Sequence, residues 1–191
     1  MAEVVVFHHV QGLTEGVVAI ADIFRANGHR VSTPDLFDGR TFDRIEDGIE
    51  FVEELGEELV VNRALETASE LSGRLIYCGF SLGTQPAQML AQTATKATGA
   101  LLFHGFFPPN VFAAEWPDSV DLQVHYMTDD EWCDNAVASQ ISNDVPVAEI
   151  FSYEGSAHLF TDSSVSDYEP KPAEQAIERS LEFLARQDSR Y

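Results

Sequence analysis

The sequence predicts an α/β fold: a mainly parallel six-stranded sheet with helices on both faces. Two observations carry that expectation. Short apolar runs alternate with longer helical stretches along the whole chain, and such crossovers connect parallel strands. No internal repeat, low-complexity tract or linker breaks the rhythm, so residues 1–191 are expected to form a single domain. A chain of 191 residues can bury roughly 70% of its unfolded surface in one core.

The elements follow in order. "VVVFHH" (4–9) is β-branched and continuous, as in a strand buried on both faces. "TEGVVAIADIFRANGH" (14–29) spaces Val17, Ala21 and Phe24 helically and stops at Asn27-Gly28, a helix C-cap signal. "HRVSTPDL" gives a second short strand. An acidic helical stretch runs from about Asp43 to Leu71, interrupted near Gly56. "RLIYCGF" (74–80) is strand-like and "LGTQPAQMLAQTATKA" helical, with Pro86 best accommodated if the regular helix starts near Thr84. "GALLFHG", "DLQVHYM" and "VAEIFSYE" supply three more strands, with helices expected at 133–143 and about 172–187.

Composition narrows the partners. The 32 acidic residues outweigh 11 basic ones for a formal charge of −21, and Lys96 and Lys171 are the only lysines. A surface of that sign repels nucleic acid and anionic lipid, so neither is expected as a partner. Cys78 and Cys133 lack CxxC or His-rich spacing, which suggests neither disulfide nor metal site. The apolar run after "MAE" is too short for a signal peptide or membrane span, so a cytoplasmic protein is expected. Nothing calls for a cofactor, and the oligomeric state is open.

The chemistry centres on "YCGFSLGTQ" (77–85), where Ser81 lies between Gly79 and Gly83 at a strand-to-helix turn. A nucleophile on so tight a turn needs glycines where side chains would clash. The helix that follows aims its first N–H groups at negative charge developing beside the serine. A serine hydroxyl also needs a base. Of the six histidines, His158 alone follows the last strand, in "YEGSAHLFTD". His104 and His125 fall within strands and read as structural. "VHYMTDDEW" offers Asp129 or Asp130 to orient the base. The order Ser, Asp, His is that of α/β-hydrolases. The aromatics Phe106, Phe107, Phe112 and Trp116 leave a strand's carboxyl end and are candidates to line a substrate pocket. His9, at the end of the first strand, is a further candidate for that pocket, and Arg40 could face substrate or simply pair on the surface.

Over nearly its whole length the sequence resembles the dienelactone hydrolase family, at "FHHVQGLTEG", "PDLFDG", "GFSLG" and "YEGSAHLFTD". The resemblance implies an α/β-hydrolase fold, with Ser81 as nucleophile, Asp130 as acid and His158 as base. It also implies an oxyanion hole built from the backbone N–H groups of Val10 and Leu82. The chain departs from the family at two charged positions. The founding enzymes have a nucleophilic cysteine assisted by a glutamate, where this chain has Ser81 and His9. They hold a substrate carboxylate with an arginine, where this chain has Asp162. An acidic residue there is expected to repel an anionic lactone, which favours a small neutral ester as the substrate. The loop 105–120 leaves little room for a cap domain, and none is expected. Two other functions are compatible with the same residues: an acyltransferase or perhydrolase on the same triad, and a non-catalytic ligand-binding protein on a hydrolase scaffold.

The dispersed carboxylates repel one another at low ionic strength. Added salt should therefore raise the melting temperature by screening them. A melting temperature that stays flat or falls from low to molar KCl would contradict this.

Overall fold

The computed structural model describes residues 2–189, so Met1, Arg190 and Tyr191 of the expected domain lie outside the described residues. Six parallel strands form one sheet: β1 (Glu3–Phe7), β2 (Arg30–Ser32), β3 (Leu75–Phe80), β4 (Ala97–Phe103), β5 (Asp121–Met127) and β6 (Ala148–Tyr153). Their spatial order is β2-β1-β3-β4-β5-β6. The chain thus winds one way from β1 to β2 and the other way from β3 onward. The β1/β3 boundary is a topological switch point, where open parallel sheets leave a crevice beyond the strand ends.

Strand alternation divides the core into two. Val5, Phe7, Leu75, Tyr77, Ala100, Leu102, Leu122 and Val124 face one side. They pack there against α2 (Ile45–Leu55), α3 (Glu57–Glu70), α4 (Thr84–Thr93) and α5 (Asn135–Asp144). Val4, Val6, Ile76, Cys78, Leu101 and Phe103 point the other way, onto α1 (Glu15–Ala26) and α6 (Pro170–Ser189). Residues one apart on a strand serve opposite layers, which is why these strands read as unbroken apolar runs.

Local chemistry sets the boundaries. Thr14 caps α1 by accepting from the Val17 N–H, and Asp134 caps α5 by accepting from Ala136. Gly56, at φ +91°, divides the acidic helical stretch into α2 and α3. The regular part of α4 starts at Thr84 after one 3₁₀ turn, Ser81–Gly83. Pro86 therefore sits in the first turn, where a missing N–H forfeits no intrahelical bond.

Two expected strands end early. β1 stops at Phe7, whose partner on β3 is Gly79, one residue before β3 itself ends at Phe80 and gives way to the turn. β4 stops at Phe103; His104 adopts φ +60° and is not a strand residue as expected, whereas His125 is. The β4–β5 connection has no helix or strand, and no cap is inserted. No helix among the described residues is long and apolar enough to cross a membrane.

One of the two lysines braces this framework. α3 has no basic residue in its last turn. Lys96 Nζ instead reaches over from the α4–β4 loop and donates to the carbonyls of Ala68 at 2.7 Å and Leu71 at 2.6 Å. Lys96→Met keeps the aliphatic stem and removes these charge-assisted bonds, and should cost about 1–2 kcal/mol. The melting temperature should fall by roughly 2–8 °C; an unchanged value would show that water replaces the brace at no loss.

Candidate active site

Ser81 lies directly beyond β3 with φ +47°, a left-handed backbone that costs a non-glycine residue about 1–3 kcal/mol. Its neighbours leave little alternative. A Cβ on Gly79 would strike the Gly83 carbonyl, and one on Gly83 would strike the Phe7 carbonyl and come within 2.8 Å of His8 O. The Thr84 hydroxyl donates to Ser81 O at 2.6 Å and ties the turn to the first residue of α4. The serine is thus lifted to the switch-point crevice, beside the chain leaving β1.

Three loops bring their side chains together there. Ser81 Oγ is 2.7 Å from His158 Nε2, and His158 Nδ1 is 2.7 Å from Asp130 Oδ2. Asp130 accepts two further bonds: Oδ1 from the Trp132 N–H at 3.0 Å and Oδ2 from the Cys133 thiol at 3.3 Å. Burial pushes the Asp130 carboxyl up, but the bonds from His158, Trp132 and Cys133 outweigh it and hold the group below its ordinary value. Asp130 is 3% exposed, whereas Asp129 faces solvent and only its backbone N–H is used, donating to Gly155 O. The line therefore runs through Asp130.

His104 stands behind this line, its ring 6.0 Å from that of His158. Its Nε2 lies 2.7 Å from the Thr161 hydroxyl, and burial, then the neighbouring imidazoles, holds its pKa well below the ordinary value. It supports the loop that carries His158.

The expected pocket residues divide. His9 is fully buried and bonds to Asp162 Oδ2 at 2.7 Å, so it does not face a pocket. Asp162, expected to confront substrate, is 1% exposed and also accepts from Thr14 and Ser164. Its charge is enclosed in hydrogen bonds, and it is not a wall of the crevice. Arg40 is exposed and lies over the Phe51 ring at 5.0 Å. Phe106 packs edge-on to Tyr126, and Phe107 to Phe112. Trp116 is buried, donates to Val120 O, and borders a cavity of about 480 Å³ with residues of α5 and the loop after it. Neither Ser81 nor His158 lines that cavity.

Sequence reasoning passed over Trp132. It is 57% exposed, and its ring centroid lies 5.8 Å from that of His158. A tryptophan in the acidic turn "TDDEWCD" was the available signal, since so large an apolar group in a polar turn has no core to enter. Among the described residues, one grouping could offer donors to a metal: Asp130, Cys133 and His158. Those atoms already bond to one another through two protons, and burial, then the Asp130 charge, pushes the Cys133 thiol well above its ordinary pKa.

A doubly wound sheet with a serine on a strained strand-to-helix turn at its switch point defines an α/β hydrolase. The chain belongs to the dienelactone hydrolase family, whose model matches residues 1–187. Solved structures agree on the fold. A dienelactone hydrolase-like promiscuous phosphotriesterase, P91, from metagenomic libraries superposes with TM-score 0.77 at 16% identity, covering 97% of this chain and 86% of its own. A protein from Klebsiella pneumoniae described as a dienelactone hydrolase gives 0.74 at 16% identity, with 97% and 87% covered. A structure from work on the metagenome-derived lipolytic enzymes LipS and LipT gives 0.65 at 17%, with 97% and 94% covered. No curated protein matches by sequence.

Proposed function

We propose that the protein hydrolyses small neutral esters through an acyl-enzyme on Ser81. The observation that supports this most is the continuous line Ser81 Oγ, His158, Asp130 with both links at 2.7 Å. His158 Nε2 takes the hydroxyl proton as Ser81 Oγ attacks the ester carbonyl. Asp130, held below its ordinary pKa, keeps the other ring proton on Nδ1 and stabilises the imidazolium that forms. The oxyanion rests on the Val10 and Leu82 N–H groups; Leu82 belongs to the first turn of a helix, where N–H groups have no intrahelical acceptor. His158 then returns the proton to the leaving alcohol, and a water molecule activated by the same imidazole releases the acid.

Substrate preference follows from the surroundings. The formal charge of −21 disfavours anionic substrates at a distance, independently of Asp162. A β4–β5 connection without a cap leaves the crevice open, and the exposed Trp132 indole offers an apolar wall beside His158. Small acyl groups with an apolar or aromatic leaving group suit that shape.

A fluorophosphonate probe tests the nucleophile. A stoichiometric adduct on Ser81, lost together with esterase activity in Ser81→Ala, is the expected result. A folded wild-type protein that takes no label would instead be a ligand-binding protein. Partition of the acyl group between water and added alcohol or peroxide separates hydrolysis from acyl transfer.

The two adjacent aspartates give a sharper test. Asp130→Asn should lower kcat by as much as about 10⁴-fold by favouring the wrong imidazole tautomer. Asp129→Asn should stay within about twofold, as expected for a surface change. Equal effects of the two substitutions would remove Asp130 from its role.

A further inference from the structure

Two buried, chargeable side chains outside the proposed triad, His9 and Asp162, face each other. His9 follows β1 and Asp162 follows His158, 153 residues apart in sequence, yet they meet at 2.7 Å with both side chains buried. The contact is heavily built. Asp162 Oδ2 also accepts from the Thr14 hydroxyl, while Oδ1 accepts from the Ser164 N–H at 2.8 Å and its hydroxyl at 2.6 Å. Gly16 has no side chain where a Cβ would collide with that carboxylate. Burial pushes Asp162 up, but the bonds from His9, Ser164 and Thr14 outweigh it and bring its pKa down to about 2.

The other end of the imidazole reaches the backbone that the proposed oxyanion hole needs. The Gln11 N–H donates to His9 Nδ1 at 3.2 Å, which places the ring proton on Nε2, facing Asp162. On the other side of Val10, the His9 carbonyl accepts from His8 Nδ1–H at 2.8 Å and from the Gly12 N–H at 3.0 Å. His8 can donate from Nδ1 because its Nε2 accepts from the Leu36 N–H at 3.0 Å. In a planar trans peptide the Val10 N–H points opposite to the His9 carbonyl, so anchoring that carbonyl aims the amide. Both peptide units flanking Val10 are therefore fixed by histidine side chains.

We propose that His9 and Asp162 are positioning residues: a buried strut that couples the loop carrying His158 to the loop carrying Val10 and holds the Val10 amide in aim. The catalytic consequence rests on the hydrolase reading above; the mechanical one does not. A strut of this kind acts on the transition state, where the oxyanion is short-lived and its donors must already be in place. It contributes little to binding of the neutral ground-state carbonyl. Its loss should therefore appear in kcat and not in KM.

Two measurements separate the parts of the proposal. In a Ser81→Ala background, which needs no activity, Asp162→Asn should speed amide hydrogen exchange at residues 9–12 by about tenfold or more while the strands stay protected. Unchanged exchange in that segment would overturn the strut whatever the protein's activity. In the active protein, Asp162→Asn should lower kcat for p-nitrophenyl acetate about 10- to 100-fold, with KM within about threefold. Inhibition by a trifluoromethyl ketone, whose adduct carries the oxyanion, should weaken by a similar factor. Rates are taken per site titrated with fluorophosphonate, so unfolded protein does not count.

His9→Gln retains both a donor and an acceptor and should keep most of kcat, whereas His9→Leu should fall to the Asp162→Asn level. If Asp162→Asn fails to fold, this pair still decides. Equal impairment of His9→Gln and His9→Leu, or a folded Asp162→Asn protein within about twofold of wild type, overturns the proposal. A wild type that forms no Ser81 adduct would sink the hydrolase reading alone, and the exchange measurement would still judge the strut.

Discussion

Everything at the crevice depends on how closely the turn after β3 approaches the end of β1. Gly83 lies against the carbonyl oxygens of Phe7 and His8, at a separation no side chain would allow. That close approach goes with the left-handed conformation of Ser81 and sets the serine beside the chain that carries Val10. The switch point supplies the opening, because the crossovers leaving β1 and β3 depart in opposite directions. The glycines supply the approach. A bulkier turn would move the Ser81 hydroxyl and the Val10 amide apart, and on the proposed mechanism a misplacement of about 1 Å would cost on the order of a hundredfold in rate.

Such a turn is held by what surrounds it. A left-handed serine costs about 1–3 kcal/mol and persists only where neighbouring structure over-determines it. Here β3 is fully buried between two apolar layers and paired on both sides. The Thr84 hydroxyl anchors the Ser81 carbonyl, and Gly105 leaves room for that hydroxyl from the β4 side. His104 takes up another left-handed position, at φ +60°, where β4 ends and its imidazole turns under the His158 loop. Two of the three left-handed non-glycine residues, Ser81 and His104, thus lie at adjacent strand ends, where the two-layered core bears the strain; the third, Asp38, is in the loop after β2.

The fold was legible because each strand serves two layers and each helix is amphipathic, so periodicity alone separated the elements. Strand ends were less legible: "VVVFHH" and "GALLFHG" continue to look like strands past the point where β1 and β4 lose their partner. Composition cannot show where a neighbour stops. Ser81, His158 and the pair Asp129/Asp130 were visible as residue types at successive strand ends. The choice of Asp130 came from resemblance and not from spacing, since a chain already turning after Met127 no longer alternates. Trp116 was misleading for a related reason. Its loop leaves a strand's carboxyl end, but a path of about a dozen residues lets the indole turn back into the core beside α5.

The reading of Asp162 shows where sequence reasoning must fail. Taken singly, an acidic residue after the base looks like a charge aimed at substrate, and His9 looks like a residue at the crevice. Neither description survives once the two are seen to bond. A buried carboxylate in a chain of formal charge −21 is unfavourable unless it is fully hydrogen-bonded, and here four donors from His9, Thr14 and Ser164 surround it. Removing one partner would leave the others facing an unsatisfied group, so these side chains act as a unit that no single position discloses. The glycine at position 16 belongs to that unit as well, through the space it leaves for the carboxylate. On the proposed function, discrimination against anions would lie in the field of the whole surface, because this carboxylate is enclosed by its own donors and does not confront substrate.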